Sequence, residues 1–373
     1  MKMLYILNVA NRVNNFCMSS LMAARELNVE YHIAGNWGYQ NDAAREIDEE
    51  KYGIHIHQVD FVRSPLSLQN RKAYQQLKEL VAREHFDVIH CNTPIGGLLG
   101  RLVGRKYKTK HIIYQAHGFH FYKGAHLLNW LVYYPVEKWL AHYTDTLITI
   151  NSEDYALANK KLRLRKNGRK HYVPGVGIDP EVYCQTTNNR NEVRCALGVR
   201  DNERLLISVG RLDANKNNET IIRALAKTQG SKLIVCGDGE QMDYLKRLAT
   251  QLGIGERVQF LGNRDDIVDL YHASDIFVMM SFREGLSRSI MEAMATGLPC
   301  IVSDIRGNRD LIIQNENGLL CPPTDAGHLA SDIMKLSENC ALRVHMASAN
   351  AKRVRDYTTD TVIEKLMQIY KTI

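Results

Sequence analysis

The sequence predicts an α/β protein of two Rossmann-like domains whose parallel sheets face each other across a cleft. The first observation is length, because 373 residues exceed what one core holds and cores stop growing at about 250–300 residues. The second is that short apolar runs alternate with helix-like segments, which is typical of parallel sheets. The third is a pause in this alternation near residues 173–204, which we interpret as a linker.

The predicted strands are short apolar runs bounded by polar or glycine residues, as expected for buried parallel strands. In the first half of the chain they cover residues 3–9, 30–34, 55–58, 88–91, 111–115 and 146–149. In the second half they cover residues 205–209, 232–236, 258–261, 276–280 and 299–302. Helix-like segments between them include residues 69–84, 220–228, 241–252 and 289–295.

The pause separates an N-terminal domain, residues 1–180, from a C-terminal domain, residues 185–358. A last helix at 359–373 has Val362, Leu366 and Ile369 at helical spacing. These positions suit packing back on the first domain, although spacing alone does not decide it. In such sheets ligands bind at the carboxyl ends of strands, so the site residues should lie in the loops that follow them.

Composition and charge narrow the class of protein. Apolar content of 45% and charged content of 24% are ordinary for a globular domain. A net charge of +7 suits anionic ligands or an anionic membrane surface. We expect no nucleic-acid partner, because no recognition motif accompanies this charge. The eight cysteines are scattered without a C-x-x-C pair, which indicates free thiols in a reducing compartment and not a disulfide framework or zinc site.

The distribution of apolar residues predicts neither a signal peptide nor a membrane-spanning helix. The first apolar run is too short for a signal peptide, and Asn8, Asn11 and Arg12 follow it at once. No run reaches the roughly 18 apolar residues that a spanning helix needs. We therefore expect a cytoplasmic protein, with peripheral attachment to the inner face of the membrane left open.

Two clusters at predicted strand ends carry most of the chemistry. In the first, Gly210 ends a strand and Arg211 and Lys216 follow, a pair of cations that suits a diphosphate. The alternative is a solvated basic loop. In the second, Glu284 and Gly285 precede a helix that carries Glu292, so two carboxylates and a helix N-terminus can face one ligand. The alternative makes Glu292 a surface residue and Glu284 an acid favoured by the helix dipole.

Two weaker clusters follow other strands. Gly237 and Gly239 flank Asp238, where the glycines allow close backbone approach and the carboxylate suits a helix cap, although a plain turn is equally consistent. Residues 260–266 include Arg264, and this junction could cradle a nucleotide base.

The order of these clusters, Gly-Arg-x4-Lys, Gly-Asp-Gly and Glu-Gly-x6-Glu, resembles the donor domain of family-4 retaining glycosyltransferases of the GT-B fold. The resemblance is strong over residues 205–323 and includes Gly318-Leu-Leu-Cys-Pro322, which looks like a late strand of that family. It implies that Arg211 and Lys216 hold the donor diphosphate and that Glu284 hydrogen-bonds the transferred sugar. It also implies that the backbone of Gly285, Leu286 and Ser287 lies near sugar and phosphate, and that Glu292 binds the ribose. Catalysis without a metal ion or other cofactor is implied as well.

In the first half, Tyr114-Gln-Ala-His-Gly-Phe-His-Phe121 resembles the His-Gly element of bacterial polysaccharide-building members. The resemblance places His117 beside the donor sugar, across the cleft. The alternative is a structural histidine, one of 14 in the chain. His120 is a weaker candidate for the acceptor side.

The chain departs from the family after the first predicted strand. Many members have a glycine-rich loop there, whereas this sequence reads Asn8-Val-Ala-Asn-Arg-Val-Asn-Asn15. Asn11, Arg12 or Asn14 would then contact ligand through side chains. The loop at 93–97 is a further candidate for lining the acceptor site.

A stretch rich in Leu, Trp, Tyr and Val at residues 123–143 follows a basic stretch at 101–110. Trp130, Tyr133, Tyr134 and Trp139 suit a membrane interface, and a core helix with a polar rim is the alternative. A peripheral membrane role would suit a lipid-linked acceptor.

The sequence thus predicts a retaining glycosyltransferase that moves a hexose from a nucleoside-diphosphate sugar, with UDP favoured, to a glycan or lipid-linked glycan. The expected setting is capsule or exopolysaccharide synthesis. A sugar-nucleotide epimerase on the same fold and a non-catalytic nucleotide-sugar-binding subunit remain alternatives. A nicotinamide oxidoreductase is disfavoured because no G-x-G-x-x-G follows the first strand.

Overall fold

Strands and helices alternate through two units in the computed structural model, which describes residues 1–10, 12–38, 42–65, 67–185 and 188–373. The first unit comprises Met1–Gly177 with Thr359–Ile373, and the second comprises Ile178–Thr358. Each unit carries one sheet in which the paired strands run parallel.

The first unit is built on a seven-stranded sheet in the order β3-β2-β1-β4-β5-β6-β7. Its strands are β1 (Lys2–Val9), β2 (Glu30–Asn36), β3 (His55–Gln58), β4 (Val88–Asn92), β5 (His111–Ala116), β6 (Thr146–Thr149) and β7 (Arg169–Tyr172). Its helices are α1 (Asn15–Glu26), α2 (Asp42–Tyr52), α3 (Asn70–Glu84), α4 (Pro94–Lys106), α5 (Leu127–Ala141) and α6 (Ser152–Lys161).

The second unit is built on a six-stranded sheet in the order β10-β9-β8-β11-β12-β13. Its strands are β8 (Arg204–Val209), β9 (Ser231–Cys236), β10 (Val258–Gly262), β11 (Ile276–Met279), β12 (Cys300–Ser303) and β13 (Gly318–Cys321). Its helices are α7 (Pro180–Cys184), α8 (Arg190–Ala196), α9 (Asn218–Leu225), α10 (Met242–Gln251), α11 (Ile267–Ala273), α12 (Arg288–Ala295), α13 (Asn308–Leu311), α14 (Ala326–Glu338) and α15 (Cys340–Arg353).

Both faces of each sheet are covered, which explains why the strands read as continuous apolar runs. In β1, Leu4 and Ile6 belong to one hydrophobic cluster, and Met3 and Tyr5 belong to the other. The same division splits β8 of the second unit between two clusters. Side chains alternate across a strand, so a strand buried on both faces needs an apolar residue at almost every position.

The last helix, α16 (Thr359–Tyr370), belongs to the first unit and packs on α1. Val362, Leu366 and Ile369 are buried in its apolar stripe, as their spacing predicts. Its Tyr370 hydroxyl lies 2.7 Å from Ser20 Oγ and 2.8 Å from His90 Nδ1, in the middle of the core. A buried network in which each polar group has a partner fixes the position of this helix.

Each of the eleven strands predicted from apolar runs forms within a residue or two of its predicted bounds. The late strand at 318–322 also forms, as β13. The strand β7 was missed because Arg169–Tyr172 is polar and lies at the edge of the sheet, where one side faces solvent. The stretch predicted as a linker contains the short helices α7 and α8, which pack on α12 and α11 of the second unit.

The eight cysteines are free, five of them buried and three exposed, which confirms the prediction of thiols without disulfides. Among the described residues, no helix has both the length and the apolar character required to cross a bilayer.

Candidate functional site

The strand order of the second unit brings the two main sequence clusters together. β8 and β11 are neighbours in the sheet although β9 and β10 lie between them in the chain, so the crossovers leave in opposite directions at this point. Such a switch point opens a crevice at the carboxyl ends of the two strands. Gly210 follows β8 and Ser281 lies just beyond β11, which places both clusters at this crevice.

Three hydrogen bonds join the loops that follow β8 and β11. The amide of Phe282 donates to the carbonyl of Asn215 at 2.8 Å, and Asn215 Nδ2 donates to the carbonyl of Arg283 at 3.0 Å. Asn217 Nδ2 donates to the carbonyl of Met280 at 3.0 Å. These bonds hold segments almost 70 residues apart in the chain as one rigid surface.

Lys216 and Glu284 form an ion pair at the centre of this surface, with Nζ 2.8 Å from Oε1. Their side chains are only 21% and 14% exposed, so solvent screens the pair less than it screens an exposed one. Gly210 makes room for it, because a Cβ there would lie 3.2 Å from Lys216 Cε. The backbone of Gly210 also has φ +153°, which disfavours other residues.

A cavity of about 480 Å³ lies at the carboxyl ends of β8 and β9. Five residues assigned to the donor site from sequence line it, namely Gly210, Arg211, Gly237, Arg264 and Glu292. The other lining residues are Val209, Cys236, Asp238, Asn263 and Ile267. Asp238 belongs to the Gly-Asp-Gly motif and Asn263 to the 260–266 junction, whereas Val209, Cys236 and Ile267 were not assigned to the site from the sequence.

The two arginines of this cavity are held by surface ion pairs. Arg211 Nη2 lies 3.1 Å from Glu240, and Arg264 makes two bonds to Asp266 at 2.8 and 2.6 Å. Exposed pairs of this kind are worth about 0–1 kcal/mol, so either guanidinium can turn to an anion at little cost. Asp238 and Glu292 also line the cavity, so its wall carries both cations and carboxylates.

The Gly-Asp-Gly turn after β9 has a structural reason for its glycines. Gly237 has φ +132°, and a Cβ there would collide with the carbonyl of Gly210. A Cβ at Gly239 would collide with the carbonyl of Leu212 in the same way. The expectation that Asp238 caps the next helix is wrong, because its carboxylate accepts from the Gly239 amide at 2.7 Å and α10 begins after Gln241.

Glu292 is held by three donors. It accepts from the Tyr183 hydroxyl at 2.9 Å, from the Tyr271 hydroxyl at 3.0 Å and from Arg288 Nε at 2.9 Å. Its side chain is 12% exposed, which rules out the alternative of a simple surface residue. Tyr183 and Tyr271 come from α7 and α11, and sequence reasoning missed them because neither lies in a motif.

The N-terminus of α12 completes this part of the unit. Ser287 is its N-cap residue and is buried, with Oγ 3.5 Å from Met279 Sδ and 3.2 Å from Ser289 Oγ. Within the described part of the chain, the Ser287 side chain makes no capping bond to the helix. The start of a helix is a common binding site for an anion.

The first unit has its own switch point between β1 and β4, with His117 just beyond the neighbouring β5. His117 Nε2 lies 3.0 Å from Asn92 Oδ1, and its ring packs on Phe16 at 4.2 Å between centroids. Burial lowers the pKa of His117 to about 3, so the imidazole is neutral at physiological pH.

The other acceptor-side candidates have structural partners. Arg12 pairs with Asp48 at 2.9 Å, and Asn14 caps α1 by accepting from the Phe16 amide at 2.9 Å. The ring of His120 stacks on Tyr133 at 4.5 Å. Asn11 lies outside the described residues.

The glycine-free loop after β1 is joined to the start of α4 by the side chain of Asn8, the last polar residue of β1. Asn8 Oδ1 accepts from the Gly96 amide at 2.8 Å and from Thr93 Oγ1 at 2.8 Å, which ties the end of β1 to the start of α4. Gly97 lets this helix approach the sheet, since a Cβ there would collide with the Tyr114 ring. In this unit the glycine that allows this close approach lies after β4 and not after β1.

The outward face of α5 consists mainly of aliphatic side chains and not of the aromatic side chains that were predicted to meet a membrane. Trp130, Tyr133 and Tyr134 pack against the core, whereas Trp139 is 49% exposed. The outward face is aliphatic, with five large side chains that are at least 42% exposed: Leu127, Leu128, Leu131, Val132 and Val136. A groove of about 1020 Å³ meets the C-terminal end of the helix at His142. Its charged lining consists of Lys160, Lys161, Arg163, Arg165, Lys166 and Lys170.

Two family models match the chain. "Glycosyl transferases group 1" matches residues 189–353, which contain the cavity, and "Glycosyl transferase 4-like" matches residues 5–151.

Similar proteins cover nearly the whole chain. EpsD of Bacillus subtilis, provisionally named a glycosyltransferase, is 34% identical over 377 residues, which span 99% of this chain and 96% of EpsD. An Escherichia coli protein is 29% identical over 310 residues, which span 81% of this chain and 80% of that protein. It is named UDP-Gal:alpha-D-GlcNAc-diphosphoundecaprenol alpha-1,3-galactosyltransferase.

A solved structure shares the fold. The Anabaena protein Alr3699/HepE in complex with UDP-glucose superposes with a TM-score of 0.79 over 100% of both chains, at 21% identity. At that identity the likeness concerns the fold, and it matches the two parallel sheets described above.

Proposed function

This chain belongs to the group 1, family-4 glycosyltransferases with the GT-B fold, and from that premise we propose a specific reaction for it. It moves a hexose from a nucleoside-diphosphate sugar to a hydroxyl of a glycan or lipid-linked glycan, with retention of the anomeric configuration. The observation that carries this proposal is the cavity of the second unit, which is lined by Arg211 and Arg264 together with Glu292. The Lys216–Glu284 pair lies beside this cavity, because Gly210, which lines the cavity, packs against the Lys216 side chain.

The cavity is suited to a nucleoside diphosphate. Arg211 and Arg264 can each give two parallel hydrogen bonds to phosphate oxygens, and Lys216 adds a compact charge. The amides at the start of α12 add a further anion-binding end. These groups would neutralise the charge that develops on the leaving diphosphate, a function that the expected absence of a metal ion leaves to them.

The Lys216–Glu284 pair has a direct role in this scheme. In the structure each satisfies the other at 2.8 Å. Donor binding would draw the ammonium group to the diphosphate, and the Glu284 carboxylate would then accept a hydrogen bond from a hydroxyl of the transferred sugar. The leaving phosphate oxygen would take the proton of the acceptor hydroxyl as the new glycosidic bond forms. The protein then acts by positioning and electrostatics.

Glu292 would bind the ribose hydroxyls. Tyr183, Tyr271 and Arg288 hold its carboxylate at the cavity wall, and each carboxylate oxygen retains acceptor capacity beside these bonds. The donor base we favour is uracil. The Anabaena protein is described with UDP-glucose, and the E. coli relative is named for UDP-Gal.

The acceptor we propose is a lipid-linked glycan in capsule or exopolysaccharide synthesis. The E. coli relative is named for an acceptor on diphosphoundecaprenol. The exposed aliphatic face of α5, beside a groove lined with lysine and arginine, suits the inner surface of an anionic membrane where such an acceptor resides. His117 is proposed to act on the donor sugar, and its neutral ring suits hydrogen bonding.

A donor screen tests the proposal. The purified chain is melted with UDP-, GDP- and ADP-hexoses, and the cognate UDP-sugar should raise Tm because a ligand at 100 times its Kd adds about 2.7 kcal/mol to folding. Lys216→Ala and Arg211→Ala should lose the shift. Arg223→Ala is the matched control, because Arg223 is also an exposed arginine paired with a glutamate, on α9 away from the cavity.

Transfer to an acceptor is then measured with the cognate donor. Loss of about 10²–10³-fold is expected for Lys216→Ala, the scale seen when one group that stabilises developing charge is removed. No shift with any nucleotide sugar, or full activity of Lys216→Ala, would refute the proposal. Interconversion of the donor sugar without acceptor would instead indicate an epimerase.

A further inference from the structure

A cluster of histidines lies at the amino-terminal ends of β2 and β3 in the first unit. The sequence there reads Glu30-Tyr-His32 in β2 and His55-Ile-His57 in β3. Residues two apart in a strand share a face, and the register aligns His32 with His55. Three imidazoles and one carboxylate therefore project from one face of two adjacent strands, at the opposite end of the sheet from His117.

The distances within the cluster are short. His32 Nε2 lies 2.9 Å from Glu30 Oε1, and His32 Nδ1 lies 2.8 Å from His57 Nε2. The rings of His32 and His55 are 4.5 Å apart between centroids. Donor atoms of Glu30, His32 and His55 all fall within 4.8 Å of one another. Ligands around tetrahedral zinc are about 3.4 Å apart when each bond is about 2.0–2.1 Å, so small side-chain rotations suffice.

We propose that Glu30, His32 and His55 bind a Zn²⁺ ion and that His57 orients His32 for it. A zinc ligand of this type donates its second ring N–H to an acceptor, which fixes the tautomer and leaves the other nitrogen free to bind. His32 has this arrangement, because Nδ1 can donate to His57 while Nε2 faces Glu30. Imidazole and carboxylate are ligands that zinc accepts.

Lys2 is the cation beside this cluster. Lys2 lies 3.3 Å from Glu30, but its shorter bond, at 2.7 Å, is to Glu84. Glu84 therefore keeps the ammonium group when Glu30 turns to the metal.

The consequence is structural. β3 is the edge strand and is only four residues long, so its attachment to the sheet depends on few backbone bonds. A metal bound by residues of both strands would join the edge strand to β2 and stabilise the first unit by mass action. The site departs from the sequence-based expectation of no metal, because histidines 23 residues apart in the chain do not form a recognisable zinc motif.

The test uses the full chain without a polyhistidine tag, stripped with EDTA and titrated with ZnCl₂ by calorimetry at pH 7.5. One equivalent should bind and raise Tm, and Co²⁺ in its place should give the absorption of a tetrahedral site. Glu30→Gln and His55→Gln, both exposed positions, should each weaken binding by about tenfold or more, since even residues that only orient a zinc ligand contribute about 10–100-fold.

The matched control is His328→Gln, which alters the other group with suitable spacing, Cys321, His328 and Asp332 in the second unit. It should leave the zinc affinity unchanged. The proposal is overturned if no zinc binds, or if binding survives both Glu30→Gln and His55→Gln. Circular dichroism checks that the variants fold. Their sugar-transfer activity is measured separately, so that a failure of the zinc proposal can be distinguished from a failure of the proposed reaction.

Discussion

Glu292, the proposed ribose ligand, shows how much of a side chain's geometry comes from residues outside any motif. A carboxylate on an eight-residue helix could rotate freely, yet here Tyr183, Tyr271 and Arg288 hold both of its oxygens. Tyr271 is buried, so its hydroxyl depends on this bond. With Glu292 as the proposed ribose ligand, the tyrosines would be positioning residues, because they would affect the donor only through Glu292.

Tyr271→Phe should raise the donor KM by about tenfold and leave kcat nearly unchanged. A hydrogen bond to a charged group contributes about 1.5–3 kcal/mol, and its loss lets the carboxylate turn from the position that meets the ribose. Steady-state kinetics with varied donor gives the two constants.

Tyr244→Phe is the control for this effect. Its hydroxyl donates to Glu219 at 2.8 Å, compared with 3.0 Å for Tyr271 and Glu292, so the variant removes a similar Tyr–Glu bond elsewhere in the second unit. Its KM should match that of the wild type. Equal KM values for the Tyr271 and Tyr244 variants would show that Glu292 needs no such support.

At the scale of elements, α5 is unusual because its two faces are both apolar. The inner face is fixed by Trp130, which donates to the Tyr122 carbonyl at 3.1 Å, and by Glu137, which pairs with buried Arg101 at 2.9 Å. The outer face leaves Leu131 65% exposed and Val132 50% exposed. Contiguous exposed apolar surface is typical of interaction sites, and together with the adjoining basic groove it is the basis of the proposed contact with an anionic lipid surface.

Val132→Glu should weaken binding to phosphatidylglycerol-rich vesicles by about tenfold at low salt. Burying a valine side chain in an apolar phase is worth about 1.5 kcal/mol, and a carboxylate there also meets the negative surface. Co-sedimentation with vesicles of graded lipid content measures the partition constant.

Val344→Glu provides the comparison, because Val344 is a valine on a helix of the second unit that is 64% exposed, somewhat more than Val132. It should bind vesicles as the wild type does. The membrane hypothesis fails if the unmodified protein shows no affinity for anionic vesicles at low salt, or if both variants lose it equally.

At the scale of the whole molecule, acid sensitivity is concentrated in the first unit. Burial lowers the pKa of His90 and His117 to about 3 and that of His57 to about 4. An unfolded histidine titrates near 6.5, so unfolding takes up protons below that pH. The stability from these three groups is complete above about pH 6.5 and declines as the pH falls towards 3–4.

Between pH 7.5 and 5.5 the free energy of unfolding should therefore fall by about 1 kcal/mol for each of these histidines. Carboxylates contribute little in this window, since their unfolded pKa values lie near 4. Urea titrations in EDTA at several pH values measure the slope.

His57→Gln should make this slope shallower, because one of the three groups is removed. His345→Gln, an exposed position in the second unit, should leave it unchanged. A free energy of unfolding that does not change from pH 7.5 to 5.5 would contradict the assignment of neutral, buried rings.

The features that could be predicted from the sequence are those that depend on the residue types within one short segment. A strand buried on both faces must be apolar, so β1, β4, β8 and β11 were readable as short runs. Arg211, Lys216 and Glu284 were predicted as site residues because ligands bind at strand ends in parallel sheets and these residues lie there in a family pattern. The edge strand β7 could not be predicted in this way, because Arg169–Tyr172 contains no apolar run.

The tertiary structure alone decided which of these residues meet. Asn14 and Arg12 looked like ligand-contacting side chains in a polar loop, but one caps α1 and the other pairs with Asp48 of α2. The tyrosines on Glu292 and the outward face of α5 likewise depend on partners distant in the chain. A sequence pattern reports the periodicity of burial and the chemistry of each side chain, whereas a contact depends on strand order and crossover direction, which no local window contains.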